Sequence, residues 1–438
     1  MVYMAEIRPF NALRFTPKAG DVKELTCPPY DIISEAQRKQ YIERTPYNIV
    51  RLELPRDGAN PYAVAGETLK DWLDKGILAS DDKPGLYIYE IRFELEGRSD
   101  ISGIEGGKHS VMGLVGLVKL EEFEKGVILP HEHTLSKAKT DRFNLMKATA
   151  CNFSSIYALY NDDGGEQETL DIMSLASSEQ PISEMTDDEG LEHRLWAITD
   201  EAVITYIQNH MANMKLYIAD GHHRYETALN YRNYMRAQGV PEGAATDYVM
   251  MVMVDMNHPG LVVFPTHRLI HDIDSLDMPS LLDSCRQYFH LRNENISALD
   301  EALEHAYLSG EHAFGLYTGG NTFALLTLRD SDIMNKLLPS LSPASRNLDV
   351  TILHTLILER LLGIDSENMA QQKNLTYTRD ISKAIDGVSS GDYQCAFVLN
   401  PTRVTEIKDV ASAGEKMPQK STYFYPKLIT GLVLNKLN

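Results

Sequence analysis

The chain has 438 residues, 42 of them Lys or Arg and 62 Asp or Glu, for a formal charge of −20. With 43% hydrophobic and 8% aromatic residues it is too apolar to stay disordered and long enough for about three domains or one large body. The acidic balance excludes a broad polyanion-coating surface, which needs a basic surplus, and makes DNA an improbable partner. It leaves room for one enclosed cationic pocket.

No run of 18 apolar residues is present, so no membrane span is expected, and the first ten residues lack the pattern of a secretory leader. The four cysteines, Cys27, Cys151, Cys285 and Cys395, are scattered without a CxxC pair. That argues against a disulfide framework or zinc ribbon and points to a reducing cytoplasm.

In chain order, Asn11–Phe15 reads as a short extended segment. Cys27-Pro-Pro-Tyr-Asp-Ile-Ile reads as a rigid loop, since two prolines fix φ and remove donors. Ser34 caps a helix through about Arg44, and apolar residues at 65, 69, 72 and 73 predict a helix from Pro61 to Gly76. Leu86–Leu95 and Ser110–Leu120 are predicted partner strands turning at Glu96-Gly97. Gly103–Gly107 is a glycine-containing loop without the Lys-Ser/Thr of a P-loop. Ile128-Leu-Pro leads into His131-Glu-His-Thr and then a helix over 138–150.

The acidic, Ser-rich stretch 161–189 reads as an exposed linker. Glu201–Met211 is a predicted helix, Lys215–Asp220 a strand, Gly221-His-His a tight turn, and Arg224–Gln238 a helix. Tyr248–Asp255 and Leu261–Phe264 are strand-like. Ala313–Thr318 and Phe323–Leu328 form a hairpin around Gly319-Gly-Asn. Leu348–Leu362 is a helix and Tyr393–Leu399 a buried strand. The expected class is α+β, with an N-terminal α+β lobe (1–160), a core (190–275) and a C-terminal α/β lobe (276–438).

The sharpest signal is the strand–Asp220-Gly221-His222-His223-Arg224–helix junction. Glycine there permits a tight turn and an unobstructed backbone. The following helix presents free N–H groups and the positive end of its dipole, an arrangement suited to anions. Arg224 in the first turn opposes that dipole unless it faces an anion such as a phosphate. His222 and His223 offer hydrogen bonds or proton transfer. Asp220 is a cap, a metal ligand or a base; the plainer alternative is a capped helix start with two surface histidines.

The second cluster is Pro130-His131-Glu132-His133-Thr134, followed by Lys137, Lys139, Asp141, Arg142 and Lys147. His131 and His133 share a face if extended, which is a metal-ligand spacing. Glu132 is otherwise a general-base candidate. Lys139 and Arg142 are phosphate-binding candidates or a solvated helix face. His267 and Arg268, after Phe264-Pro265-Thr266, form a third polar cluster. Lys420, Ser421 and Thr422, within Met417–Lys427, are candidates to hold an anion.

Asp220-Gly221-His222-His223-Arg224 resembles the phosphate-binding loop of the ParB/sulfiredoxin superfamily. His222 stands where sulfiredoxins have their reactive cysteine, whereas Asp220, Gly221, His222 and Arg224 match the Asp-Gly-His-x-Arg pattern of the free-serine kinases. Across the whole chain, Cys27-Pro-Pro-Tyr-Asp, Pro130-His-Glu-His-Thr, Lys139-Thr-Asp-Arg, the Asp220 run and Met417–Lys427 resemble the domain of unknown function family 1015. The resemblance implies a ParB/sulfiredoxin-like core with added lobes. It implies phosphate transfer between a nucleotide (ATP or ADP with Mg²⁺) and a small hydroxy compound, free serine or phosphoserine first. In this reading Gly221 and Arg224 hold phosphates, while Glu132 or Asp220 handles the hydroxyl proton. The rivals are a metal-dependent hydrolase on His131, His133, His222 or His223, and a ParB-like nucleotide-binding module without turnover.

Overall fold

The computed structural model describes residues 5–95, 106–162, 168–274 and 276–437. Its larger sheet contains nine strands: β1 (Ile7–Arg8), β2 (Leu86–Leu95), β3 (Gly107–Lys119), β4 (Ile128–Leu129), β5 (Ile156–Tyr160), β6 (Ser183–Thr186), β7 (Glu192–Ile198), β8 (Leu216–Asp220) and β9 (Tyr248–Asp255). They run in the order β4-β8-β5-β9-β3-β2-β7-β6, with β1 alongside β3. The centre is apolar on both faces because both are covered: every residue of β9 is buried, which is the continuous hydrophobic reading its sequence carries. On one face lie the helices Glu168–Ala176, α1 (Glu201–Met211) and α2 (His222–Ala237), contributing Met173, Ile204, Ile207, Tyr225 and Leu229. The other face meets the C-terminal segment through Ile407, Val410, Met417, Phe424 and Leu432.

A second, six-stranded sheet comprises β10 (His267–Ile270), β11 (Phe289–Asn295), β12 (Ala313–Tyr317), β13 (Thr322–Leu328), β14 (Leu375–Thr378) and β15 (Cys395–Val398). Its order is β11-β13-β12-β15-β10-β14. The chain then returns: Tyr423–Tyr425 pairs antiparallel with Val262–Phe264, Val263 opposite Phe424. That ribbon joins the two sheets and seats Met417–Lys427 against the first.

Most expected elements are present, among them the Ser34-capped helix Glu35–Arg44 with a complete capping box, Pro61–Asp74, and the β2–β3 and β12–β13 pairs. The fold is a mixture of α and β elements, as expected. The proposed turn at Glu96-Gly97 and most of the Gly103–Gly107 loop lie outside the described residues.

Four readings differ. Strands from 1–160 and 190–275 interleave in one sheet, so the expected boundary between those segments does not separate two cores. The stretch 161–189 includes the helix Glu168–Ala176 and edge strand β6. Met173 and Met185 supply that segment's buried apolar anchors. His222 and His223 are the first turn of α2 rather than part of the turn before it. Finally, the helix expected over 348–362 is α-helical at Asp349–Ile352 and becomes a π-helix at Leu353–Glu359. The π stretch buries His354 beside Arg268.

Candidate functional site

The site follows from one pairing. β4 and β8 are parallel neighbours, Ile128 opposite Leu216 and Leu129 opposite Tyr217. Their C-terminal ends therefore open at the same edge of the sheet, where α/β proteins place ligands. Pro130–Thr134 leaves one strand and Asp220–Arg224 the other. Gly221 makes the turn with φ +96° and is the N-cap of α2, so Asp220 is not the cap.

The two segments are then stitched together. The His131 backbone N–H donates to His222 Nε2 (3.2 Å), and the Leu135 backbone N–H donates to His223 Nε2 (2.8 Å). Each imidazole, when neutral, must carry its proton on Nδ1. His131, fully buried, meets the Thr422 hydroxyl through Nε2 at 3.1 Å. Burial pushes His131 down to about 4 and His222 well below the ordinary histidine value, so both rings are neutral at pH 7.

In front of this edge lies a cavity of about 430 Å³, the size of a small-molecule site. Glu132, Asp220, Gly221, His222, His223 and Arg224 line it from the first sheet. Tyr30 and Asp31 of the Cys27-Pro-Pro-Tyr-Asp loop contribute another side. Thr266, Tyr377, Thr378, Arg379, Lys420 and Thr422 close it from the second sheet and the returning C-terminal segment.

Asp220 is the electrostatic centre. Lys427 Nζ donates to its Oδ1 at 2.9 Å and Arg224 Nη2 to its Oδ2 at 2.7 Å. Burial alone would raise the Asp220 carboxyl, but those two cations outweigh it and hold it well below the usual carboxylate range. Arg224 does face an anion, then, but it is the protein's own; its other terminal nitrogen donates to the Ser155 carbonyl. Asp220→Asn removes the charge both cations share and leaves two mostly buried cations uncompensated. The expected loss is about 3 kcal/mol of stability, read from urea unfolding; an unchanged midpoint would show the triad to be inert.

Gly221→Ala tests the turn. An alanine there must adopt a left-handed backbone, and its Cβ would lie 2.8 Å from Arg224 Nε. The expected cost is about 1–2 kcal/mol from backbone strain, with displacement of Arg224 in addition. A lower melting temperature accompanied by a chemical-shift change at Asp220 is the expected result.

Glu132 has the opposite character to Asp220. Burial raises its carboxyl and the Asp220 charge raises it further, while Lys420 and Lys427 pull the other way; the net is upward. Its Oε2 lies 3.9 Å from His222 Nδ1, the protonated side of that ring. A carboxylate with a raised pKa at a cavity wall is a proton acceptor.

The remaining candidates lie outside the cavity lining. Lys139 and Thr134 both donate to Glu226 Oε2, at 2.6 and 2.7 Å. Arg142 is buried, bonds Asp141 and the Glu53 carbonyl, and covers the Tyr30 ring at 4.0 Å. His133 is exposed. His267 is fully buried behind the second sheet, with Leu399 N–H directed at its Nδ1 (3.4 Å). Ser421 is buried and donates to the Pro418 carbonyl. Arg268 is fully buried, donating to His354 Nε2 (3.1 Å) and the Lys420 carbonyl (3.2 Å).

Sequence reasoning missed Tyr30, Asp31, Tyr377, Arg379 and Lys427. Two signals were available. Tyr30 and Asp31 belong to the rigid proline loop, and Lys427 ends the motif block that contains Lys420. Arg379 has no motif around it.

Among the described residues, no group of three or more His, Cys, Asp or Glu side chains is placed to hold a metal ion. Of the four histidines of the hydrolase reading, His222, His223 and His131 each spend one ring nitrogen on a hydrogen bond, to His131 N, Leu135 N and the Thr422 hydroxyl respectively. All four cysteines are buried free thiols. Among the described residues no helix is long and apolar enough to cross a membrane.

Among solved structures, the chain is similar to a conserved hypothetical protein from Pyrococcus furiosus at 13% identity and a TM-score of 0.34, covering 77% of this chain and 97% of that one. A free serine kinase in complex with AMP is similar at 14% identity and 0.35, covering 72% and 89%. SbnI with a C-terminal truncation, from Staphylococcus aureus, is similar at 11% identity and 0.34, covering 73% and 86%. No curated protein matches the chain. A family model matches residues 7–351, and the chain belongs to that family, described as "Protein of unknown function (DUF1015)".

Proposed function

We propose that the protein is a nucleotide-dependent phosphotransferase acting on a small hydroxy compound, with free serine or phosphoserine the preferred substrate. The observation carrying this reading is the convergence, at one cavity, of Glu132 with its raised pKa and the first turn of α2. The resemblance of Asp220–Arg224 to the free-serine-kinase pattern, within a ParB/sulfiredoxin-like core, supports it.

The residues fit a nucleotide. The cavity is roomy enough, and the first turn of α2 borders it at Gly221, His222 and His223, where unbonded N–H groups and the dipole favour phosphate. For Mg²⁺ the protein offers at most isolated carboxylates, Asp31 and Glu132, which suits an ion held mainly by phosphate oxygens. Bound nucleotide with Mg²⁺ supplies the phosphoryl group and neutralises its charge.

The chain's own residues do the rest. Asp220 fixes Lys427 and Arg224 behind Gly221, so the turn keeps its geometry. His222 is held neutral, with Nδ1–H facing Glu132. Glu132 takes the proton of the acceptor hydroxyl as the new O–P bond forms and the bond to the leaving nucleoside phosphate breaks. The same site run backwards moves phosphate from phosphoserine.

The test is a phosphotransfer assay with ATP, ADP and CTP and Mg²⁺ against serine and related hydroxy acids, alongside calorimetric titration of each nucleotide. Phosphoserine formation with saturable nucleotide dependence is expected. Failure of every nucleotide to bind sinks the reading; binding without transfer leaves a nucleotide-binding module in its place.

A further inference from the structure

The two walls of the cavity are built with different charge balance. On the wall formed by the first sheet, the cations are matched by acids. Arg224, and Lys427 reaching over from the returning C-terminal segment, share Asp220. On the opposite wall Arg379 and Lys420 are both exposed to the cavity. Among the described residues neither closes an ion pair, and the acid that Lys420 acts on is Glu132 of the same cavity.

Behind them stands Arg268, fully buried in β10. Its hydrogen-bond partners are the Thr266 and Lys420 carbonyls and His354, and its Nε has none. Tyr377 lies 5.3 Å away across its guanidinium face. A buried guanidinium without an acid is costly, and its retention on this wall sums with Arg379 and Lys420 into one positive field. The Arg379 guanidinium carbon also lies over the Tyr423 ring, 3.9 Å from its centroid, with N–H groups to offer a planar anion.

We propose that Arg379 and Lys420, with Arg268 behind them, form a subsite for a carboxylate on the acceptor, which makes the acceptor a hydroxy acid and excludes a neutral alcohol. The inference rests on the phosphotransfer reading for what the acceptor does, and on the charge balance for what it is. Glu132 lines the same cavity as Arg379, Lys420 and the first turn of α2. An acceptor whose hydroxyl meets Glu132 therefore has the nucleotide phosphates towards α2 and its own remaining groups towards Arg379 and Lys420. Arg268 is a positioning residue: it holds the carbonyl of Lys420, which adopts a left-handed backbone at φ +57°.

The experiment uses the full chain and two acceptor pairs that differ only in the carboxylate, serine with ethanolamine and glycerate with glycerol. In each pair the carboxylate member is expected to have the higher kcat/KM by at least about a hundredfold. Arg379→Ala should raise KM for that member about 10- to 100-fold, with kcat and the nucleotide KM nearly unchanged. Arg379→Lys should recover part of the loss, which a merely structural role would not predict. Equal use of the members that lack the carboxylate, or an Arg379→Ala effect on nucleotide KM alone, overturns the subsite while leaving phosphotransfer intact.

Calorimetric titration of serine and glycerate, with and without ADP and Mg²⁺, separates the two ideas. Carboxylate binding that Arg379→Ala abolishes sustains the subsite even if no phosphate moves. Absence of binding together with absence of discrimination overturns it.

Discussion

Glu132→Gln is expected to lower kcat for phosphotransfer by about a hundred- to ten-thousand-fold, the usual range for loss of a general base, with nucleotide affinity nearly unchanged. Glutamine preserves size and hydrogen-bonding reach but cannot take the proton. Under the proposed phosphotransfer, Glu132 is preferred over its neighbours as the base by elimination. Asp220 is held deeply anionic by Lys427 and Arg224 and has both oxygens engaged, so it is a poor base. His222 spends Nε2 on the His131 amide and presents Nδ1–H, so it is not an acceptor towards the cavity. Glu132 alone combines a raised carboxyl with access to the cavity.

The sign of its pH dependence follows. A base must be deprotonated, so kcat should rise with pH through the Glu132 pKa, which lies above the ordinary 4.5. Because burial raises it, the acid limb should sit at higher pH than for a solvated glutamate. Glu132→Gln should flatten that limb. A variant that keeps both the rate and the limb would move the base elsewhere.

How this site could be read from the chain, and where it could not, has a physical pattern. The Asp220–Arg224 junction was legible because a left-handed glycine between a strand and a helix is a local requirement. Glu132 was legible as a candidate because an acid flanked by histidines after an apolar segment is unusual. That the two meet depends on β4 pairing in parallel with β8 across some 90 residues, and no local signal encodes such a pairing. Lys427 reaches Asp220 across 207 positions, and Arg379 stands in a stretch without a motif.

Composition misled at 161–189, where acidic and serine residues cover a segment anchored by Met173 and Met185. Periodicity misled at 348–362, since a helix buried almost all round looks the same whether its turns are α or π. The phosphate roles of Lys139 and Arg142 were read from charge alone. Charge does not say which acid a cation meets first: Glu226 takes Lys139, and Asp141 takes Arg142.

Lowering the pH from 7 to 5.5 is expected to remove on the order of 5 kcal/mol of folding stability, about 1 kcal/mol for each of five buried histidines. They are His131, His222, His258, His267 and His354, all at most 8% exposed. Burial holds each below its ordinary value: His131 and His258 to about 4, His267 to about 3, His222 and His354 well below 6.5. In the unfolded chain the same side chains titrate near 6.5. Below that pH the unfolded state binds protons the folded state refuses, so stability is full above about 6.5 and falls steadily towards the folded values near 4. Glu53, Glu132 and Glu406, which burial raises, act oppositely and trim the slope at its acid end.

Total stabilities of domains are about 5–15 kcal/mol, so the effect is large enough to unfold the protein in mild acid. Urea midpoints at pH 7.0 and 5.5 measure it. Calorimetry in buffers of different ionisation enthalpy should register an uptake of about four protons on unfolding at pH 5.5. A midpoint that holds steady or rises on acidification would mean that these imidazoles are charged or solvated in the folded state. It would also remove the neutral His222 on which the assignment of Glu132 as base depends.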